Sequence, residues 1–155
     1  VKKYSLEWWQ TLPPEKVGKE TECLIESLFT EWNKRRAFAW LRLPDSKSAR
    51  NFIKAQPADY IYRCGTYSGF LEVKALKHPY RLPRARVSQL PTLNKWSMAG
   101  SHNLILVFHY MEGQWRIVTP KVLATDVPSW DLTGVPTHAN AEDALLSTSW
   151  FNSIK

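Results

Sequence analysis

Cysteine is close to absent from this chain of 155 residues: Cys23 and Cys64 are the only two, too few and too far apart for a disulfide framework or a zinc signature. Histidine is sparse as well, and His78, His102, His109 and His138 fall at no metal-ligand spacing. A reducing compartment follows as the expectation. No apolar run approaches the length of a membrane span, no secretory leader is visible, and no repeat or low-complexity tract appears. An ordinary globular chain of the cytoplasm, with no membrane partner, is the expectation. Acid is the scarcer charge: 14 Asp and Glu stand against 21 Lys and Arg, for a formal charge of +7 and a pI near 9.5. That balance favours a polyanionic partner, most simply nucleic acid.

What the chain does contain is organised around alternating apolar patterns. Residues 1–17 read as an N-terminal arm ending in Pro13-Pro14, and 18–155 as a single domain. Within the arm, Trp8-Trp9 precedes any clear element and has two available roles, docking on a partner subunit or covering the fold. From Gly18 to Arg36, Leu24, Ile25, Leu28, Phe29 and Trp32 recur at helical steps. Strands are predicted over 37–43, 58–64, 69–76, 103–110 and 114–118. Leu104–Phe108 is apolar on both faces and reads as a buried central strand. Residues 49–56 read as a helical turn and 79–83 as a loop. A helix over 87–99 must hold Pro91 in its first turn, and a weak one follows over 141–147. The order fits an α/β fold with a mixed central sheet flanked by helices.

The chemistry concentrates between Asp59 and Lys74. Asp59 enters one strand, and Glu72-Val73-Lys74 follows on the next, thirteen positions later across a predicted hairpin. Side chains alternate along a strand, so Glu72 and Lys74 share one face while Leu71 and Val73 take the other. Two carboxylates and an ammonium at one sheet edge suit metal-assisted hydrolysis: the carboxylates hold a hard cation such as Mg²⁺, and the lysine orients a water. Lys74, Lys77, Arg81, Arg84 and Arg86 also cluster here. The helix over 18–36 offers Glu20, Glu22, Glu26 and Glu31. At the helical step, Glu22 lies about 20° from Phe29 on the edge of the apolar stripe. It is favoured for the site, with Glu26 second, while Glu20 and Glu31 face away.

This arrangement resembles the PD-(D/E)XK nuclease superfamily, whose fold is restriction-endonuclease-like. Gly18-Lys19-x-x-Glu22, Arg42-x-Pro44 with Ser46 and Ser48, Asp59 and Glu72-x-Lys74 resemble the archaeal and phage type of Holliday junction resolvase. Pro79-Tyr80-Arg81-Leu82-Pro83, Gln89 and Gly100 before an apolar strand are similar to the bacterial RecU type. The similarity spans about residues 18–110, although many relatives place proline directly before the aspartate and this chain reads Pro57-Ala58-Asp59. The resemblance implies a DNA endonuclease, with Mg²⁺ held by Asp59 and Glu72, replaceable by Mn²⁺. Glu22 would complete the shell directly or through water, Lys74 would position the attacking water, and Gln89 would lie near the site. Arg42, Ser46 and Ser48 would meet the scissile strand, and Lys77, Arg81, Arg84 and Arg86 the flanking phosphates. It further implies branched DNA as substrate, a homodimer, and a bacterial, archaeal or phage-infected cytoplasm. Two other readings remain: a flap, fork or restriction-type nuclease with the same site, and a basic nucleic-acid-binding module without chemistry.

Overall fold

The computed structural model describes residues 1–44 and 56–155. Two N-terminal helices, α1 (Leu6–Thr11) and α2 (Pro14–Trp32), precede the strands β1 (Phe38–Arg42), β2 (Tyr60–Cys64) and β3 (Tyr67–Leu76). A short strand β4 (Arg81–Pro83) leads into α3 (Leu90–Met98), then β5 (Leu104–His109) and β6 (Gln114–Val118). β7 (Ser129–Asp131) and α4 (Ala141–Leu146) follow, and a 3₁₀ helix over Ser149–Ile154 buries Phe151 and Ile154. The main sheet has the order β1-β2-β3-β5-β6, antiparallel throughout except for the parallel β3–β5 pair. It is a mixed sheet flanked by helices, as the sequence implies.

The helix α2 starts four residues earlier than its apolar pattern indicates. Pro14 occupies the first helical turn, where a missing N–H costs nothing, so the proline pair opens the helix instead of closing an arm. Its buried residues Val17, Thr21, Ile25, Phe29 and Trp32 form one stripe. They pack with Tyr60, Tyr62, Leu71, Val73, Leu104, Leu106 and Phe108 on one sheet face. The opposite face carries Phe70, Leu76, Ile105 and Val107, covered by Leu90 and Leu93 of α3, which indeed holds Pro91 in its first turn. β3 and β5 therefore each contribute to two separate cores, whereas β2 contributes to the first alone.

Two glycines make the hairpin possible. Gly65 turns from β2 into β3 at φ 59°, in the left-handed region. Gly69 passes so close to the His102 backbone that an added Cβ would lie 2.1 Å from its carbonyl oxygen. The arm does not stand free. Trp9 is buried, with its ring edge-on to Phe108 at 4.8 Å, and Phe108 stacks on Trp115 at 4.0 Å. Of the two roles open to Trp8-Trp9, the structure places the pair on its own fold. Arg81–Pro83, expected as loop, pairs with β7 in a separate two-stranded ribbon whose Leu82 and Trp130 point inward. Among the described residues, no helix is long and apolar enough to cross a membrane.

Candidate active site

Asp59 sits immediately before β2, and its carboxylate accepts the Val73 N–H of the neighbouring strand at 2.8 Å. That bond ties the aspartate to the strand bearing the Glu-x-Lys triplet. Glu72 is almost fully buried, and its Oε1 lies 3.4 Å from Lys74 Nζ, so the two do share a face. By alternation it is the face of Phe70 and Leu76, on the α3 side. Burial, reinforced by the neighbouring Asp59 carboxylate, pushes Glu72 up to about 9 against the opposing pull of Lys74. Its second oxygen, Oε2, is buried and has no hydrogen-bond partner among the described residues. A buried carboxylate oxygen left unmatched costs stability.

Glu22 and Glu26 approach from the other side of the sheet, one helical turn apart on α2. Arg42 Nη2 donates to Glu22 at 2.9 Å and Arg42 Nη1 to Glu26 at 2.8 Å. The Tyr60 hydroxyl donates to the same Glu26 oxygen at 3.0 Å. Burial raises the Glu22 carboxyl above its ordinary value despite Arg42, and Asp59 adds to the effect. Burial also opposes the Arg42 charge, but Glu22 outweighs it and the guanidinium stays firmly protonated. Here both carboxylates are matched.

The structure thus joins Asp59, Glu72 and Lys74 and keeps Glu22 with Arg42 on the α2 face. Among the described residues, no three His, Cys, Asp or Glu side chains converge on one metal position. The donor set still fits a hard cation: two carboxylates are adjacent, one has an unmatched oxygen, and Mg²⁺ keeps several waters when only one or two carboxylates hold it. Gln89 lies at the N-cap of α3, above the face of Glu72 and Lys74, where its Oε1 accepts from Ser88 Oγ at 3.4 Å. Ser46 and Ser48 lie outside the described residues, as does nearly all of the expected helical turn over 49–56.

The basic residues divide. Lys77 is exposed. Arg81 is exposed beside the Tyr80 ring, with its guanidinium 5.9 Å from the ring centroid. Arg84 braces the ribbon: it donates to the carbonyls of Thr125 and Val127, pairs with Asp126 at 3.2 Å and covers Trp130. Arg86 donates to the Ala75 carbonyl at the end of β3. Sequence reasoning missed one contributor to the site and one buried polar pair outside it. Tyr60 is masked by its apolar neighbours, although its place beside Asp59 was a usable signal. The second is the buried pair His109 and Arg116, which no local pattern marks.

No protein-family model matches this chain, and no curated protein matches it in sequence. Among solved structures, the chain is similar to Hjc, a Holliday junction resolvase from the archaeal hyperthermophile Archaeoglobus fulgidus. The identity is 21% and the TM-score 0.47, over 74% of this chain and 91% of that one.

Proposed function

We propose that the chain is a Mg²⁺-dependent, structure-selective DNA endonuclease, and within that class a Holliday junction resolvase acting as a homodimer on four-way junctions. The observation that carries the nuclease reading is the buried Glu72 with one unmatched oxygen, set between Asp59 and Lys74. A chain that only bound phosphates would gain nothing from a desolvated carboxylate facing them. When bound, the cation supplies Lewis-acid stabilisation of the phosphate and lowers the pKa of a water. Asp59 and Glu72 hold it, and Glu22 adds charge from the α2 face, directly or through water. Lys74, 3.4 Å from Glu72, orients the nucleophilic water and stabilises negative charge on the phosphate. Gln89 borders the same face, and Lys77 and Arg81 receive flanking phosphates.

The choice of junction over other DNA rests on the motif resemblance and on the two-fold symmetry that paired cuts demand. Four-way, forked and linear DNA incubated with the protein in Mg²⁺, with cuts mapped on each strand, test it. Symmetric paired cuts in the junction support resolution. Single-strand nicks in linear duplex and junction alike leave a generic nuclease, and no cutting of any substrate removes the enzyme.

A further inference from the structure

Arg116 and His109 are buried, at 6% and 0% exposure, and the chemistry above uses neither. The hydrogen bonds of the Arg116 guanidinium go to uncharged acceptors, Pro79 O at 2.8 Å, Val135 O at 3.0 Å and His109 Nε2 at 2.9 Å, while the exposed Asp131 carboxylate favours its charge from farther off. Because Nε2 accepts from Arg116, the imidazole carries its proton on Nδ1 and donates to His78 O at 2.6 Å. Burial lowers the His109 pKa, in keeping with a neutral ring. The Leu132 N–H then donates to Tyr80 O at 2.7 Å. The carbonyls of three consecutive residues, His78, Pro79 and Tyr80, are thus each held from within. On the outside, His78 Nδ1 accepts the N–H groups of Tyr80 and Arg81 at 3.2 and 3.0 Å, which closes the turn.

Desolvating a guanidinium whose hydrogen-bond partners are neutral is an unfavourable way merely to connect two strands. What it does secure is a rigid exposed turn, and that turn presents recognition groups. Tyr80 is 37% exposed, with the His78 ring edge-on at 4.6 Å, Arg81 alongside and Lys77 in solvent. It also begins directly after β3, the strand that carries Glu72 and Lys74.

We infer that residues 77–81 form a preorganised platform on which Tyr80 stacks an unpaired DNA base while Lys77 and Arg81 take the adjoining phosphates. That the partner is DNA rests on the proposed nuclease function; the fixed, exposed ring does not. Stacking on an aromatic face is tolerant of base identity but requires a base free of its duplex neighbours. The platform therefore selects branched or frayed DNA over continuous duplex. Arg116 and His109 are positioning residues for it and touch no DNA.

The test uses the full chain carrying Asp59→Asn, so that nothing is cut, with 2-aminopurine placed unpaired at the branch of a forked DNA and a fully paired duplex as control. Binding is expected to quench the probe. Adding Tyr80→Leu should weaken the forked complex about tenfold and abolish the quenching, with duplex affinity within about twofold of the parent and Tyr80→Phe restoring both. Arg116→Met, checked for its melting transition, should lower the preference for the fork; if it fails to fold, the Tyr80 variants decide. Equal weakening of fork and duplex by Tyr80→Leu, or no weakening, overturns the platform. Quenching by Tyr80 in a chain that cuts no DNA in Mg²⁺ would retain the platform and remove the nuclease.

Discussion

The two faces of the sheet at the β1–β2–β3 edge hold carboxylates in opposite conditions. On the α2 face, Glu22 and Glu26 are matched by Arg42, with Tyr60 completing the network. On the α3 face, Glu72 is more deeply buried, with Oε1 beside Lys74, Oε2 without a hydrogen-bond partner among the described residues, and the Asp59 carboxylate next to it. Matched charge holds elements together. Unmatched buried charge opposes folding, and a fold retains it where a ligand supplies the missing partner. The second face is accordingly where chemistry is expected, and the first is where a charge change at Arg42 or Glu26 should register mainly as stability.

The sharpest break between the faces is at Glu72. Glu72→Gln and Asp59→Asn should each lower cleavage by about 10³-fold or more, because each removes an anionic ligand of the cation. Junction affinity should stay close to wild type, since shape is kept. Wild-type turnover in Mg²⁺ by both variants would remove the site.

Glu72 should also oppose stability, and the sign can be checked by pH. The folded chain holds a proton on Glu72 up to about 9, whereas the ordinary value is 4.5. Between those values the folded state binds more protons than the unfolded one. Without a cation, stability should fall as pH climbs through that window, by at most about 1.4 kcal/mol per unit from this group. Glu72→Gln lacks that component and should be the more stable protein at pH 8, although catalytically dead. Urea unfolding of both at pH 5 and pH 8 measures it, and identical pH slopes contradict the burial argument. Cation affinity, tied to loss of the same proton, should rise across the window.

Lys74 separates chemistry from binding on the same face. Lys74→Met should slow cleavage about 10²-fold with little change in affinity. Arg81→Ala should instead weaken DNA binding and lower the slope of log affinity against log salt by about one. Matching behaviour of the two variants would reduce Lys74 to a phosphate contact.

How much of this was legible in the sequence depends on the range of the interaction. The Glu72–Lys74 pairing is local, fixed by strand alternation, and it reads directly. So do β6, which matches its expected 114–118, and the buried β5. The start of α2 was misplaced because a Pro-Pro pair reads as a breaker, although proline is at home in a first turn. β4 and β7 are three residues each and pair across nearly fifty positions, so neither carries a periodic signal. The helix phase put Glu22 beside the apolar stripe, but Arg42, twenty positions away, decides where its carboxylate points. Position along a helix is written locally, whereas charge partnership is tertiary.

The smallest effect tests the matched face. Arg42 is 42% exposed at its side chain, so its two ion pairs are partly screened. Arg42→Gln leaves Glu22 and Glu26 facing each other one helical turn apart, with Tyr60 still donating to Glu26. The cost to stability should be about 1 kcal/mol or less, diminished further by salt. Glu26→Gln should cost a similar amount and leave the cation site untouched, because among the described residues the Glu26 carboxylate bonds to Arg42 and Tyr60 and not to Asp59 or Glu72. Glu22→Gln is the variant that distinguishes the faces: it should match Glu26→Gln in stability yet lose most cleavage if its carboxylate contributes charge to the cation. Equal activity of the two would assign Glu22 wholly to the structural network and leave Asp59 and Glu72 as the working pair.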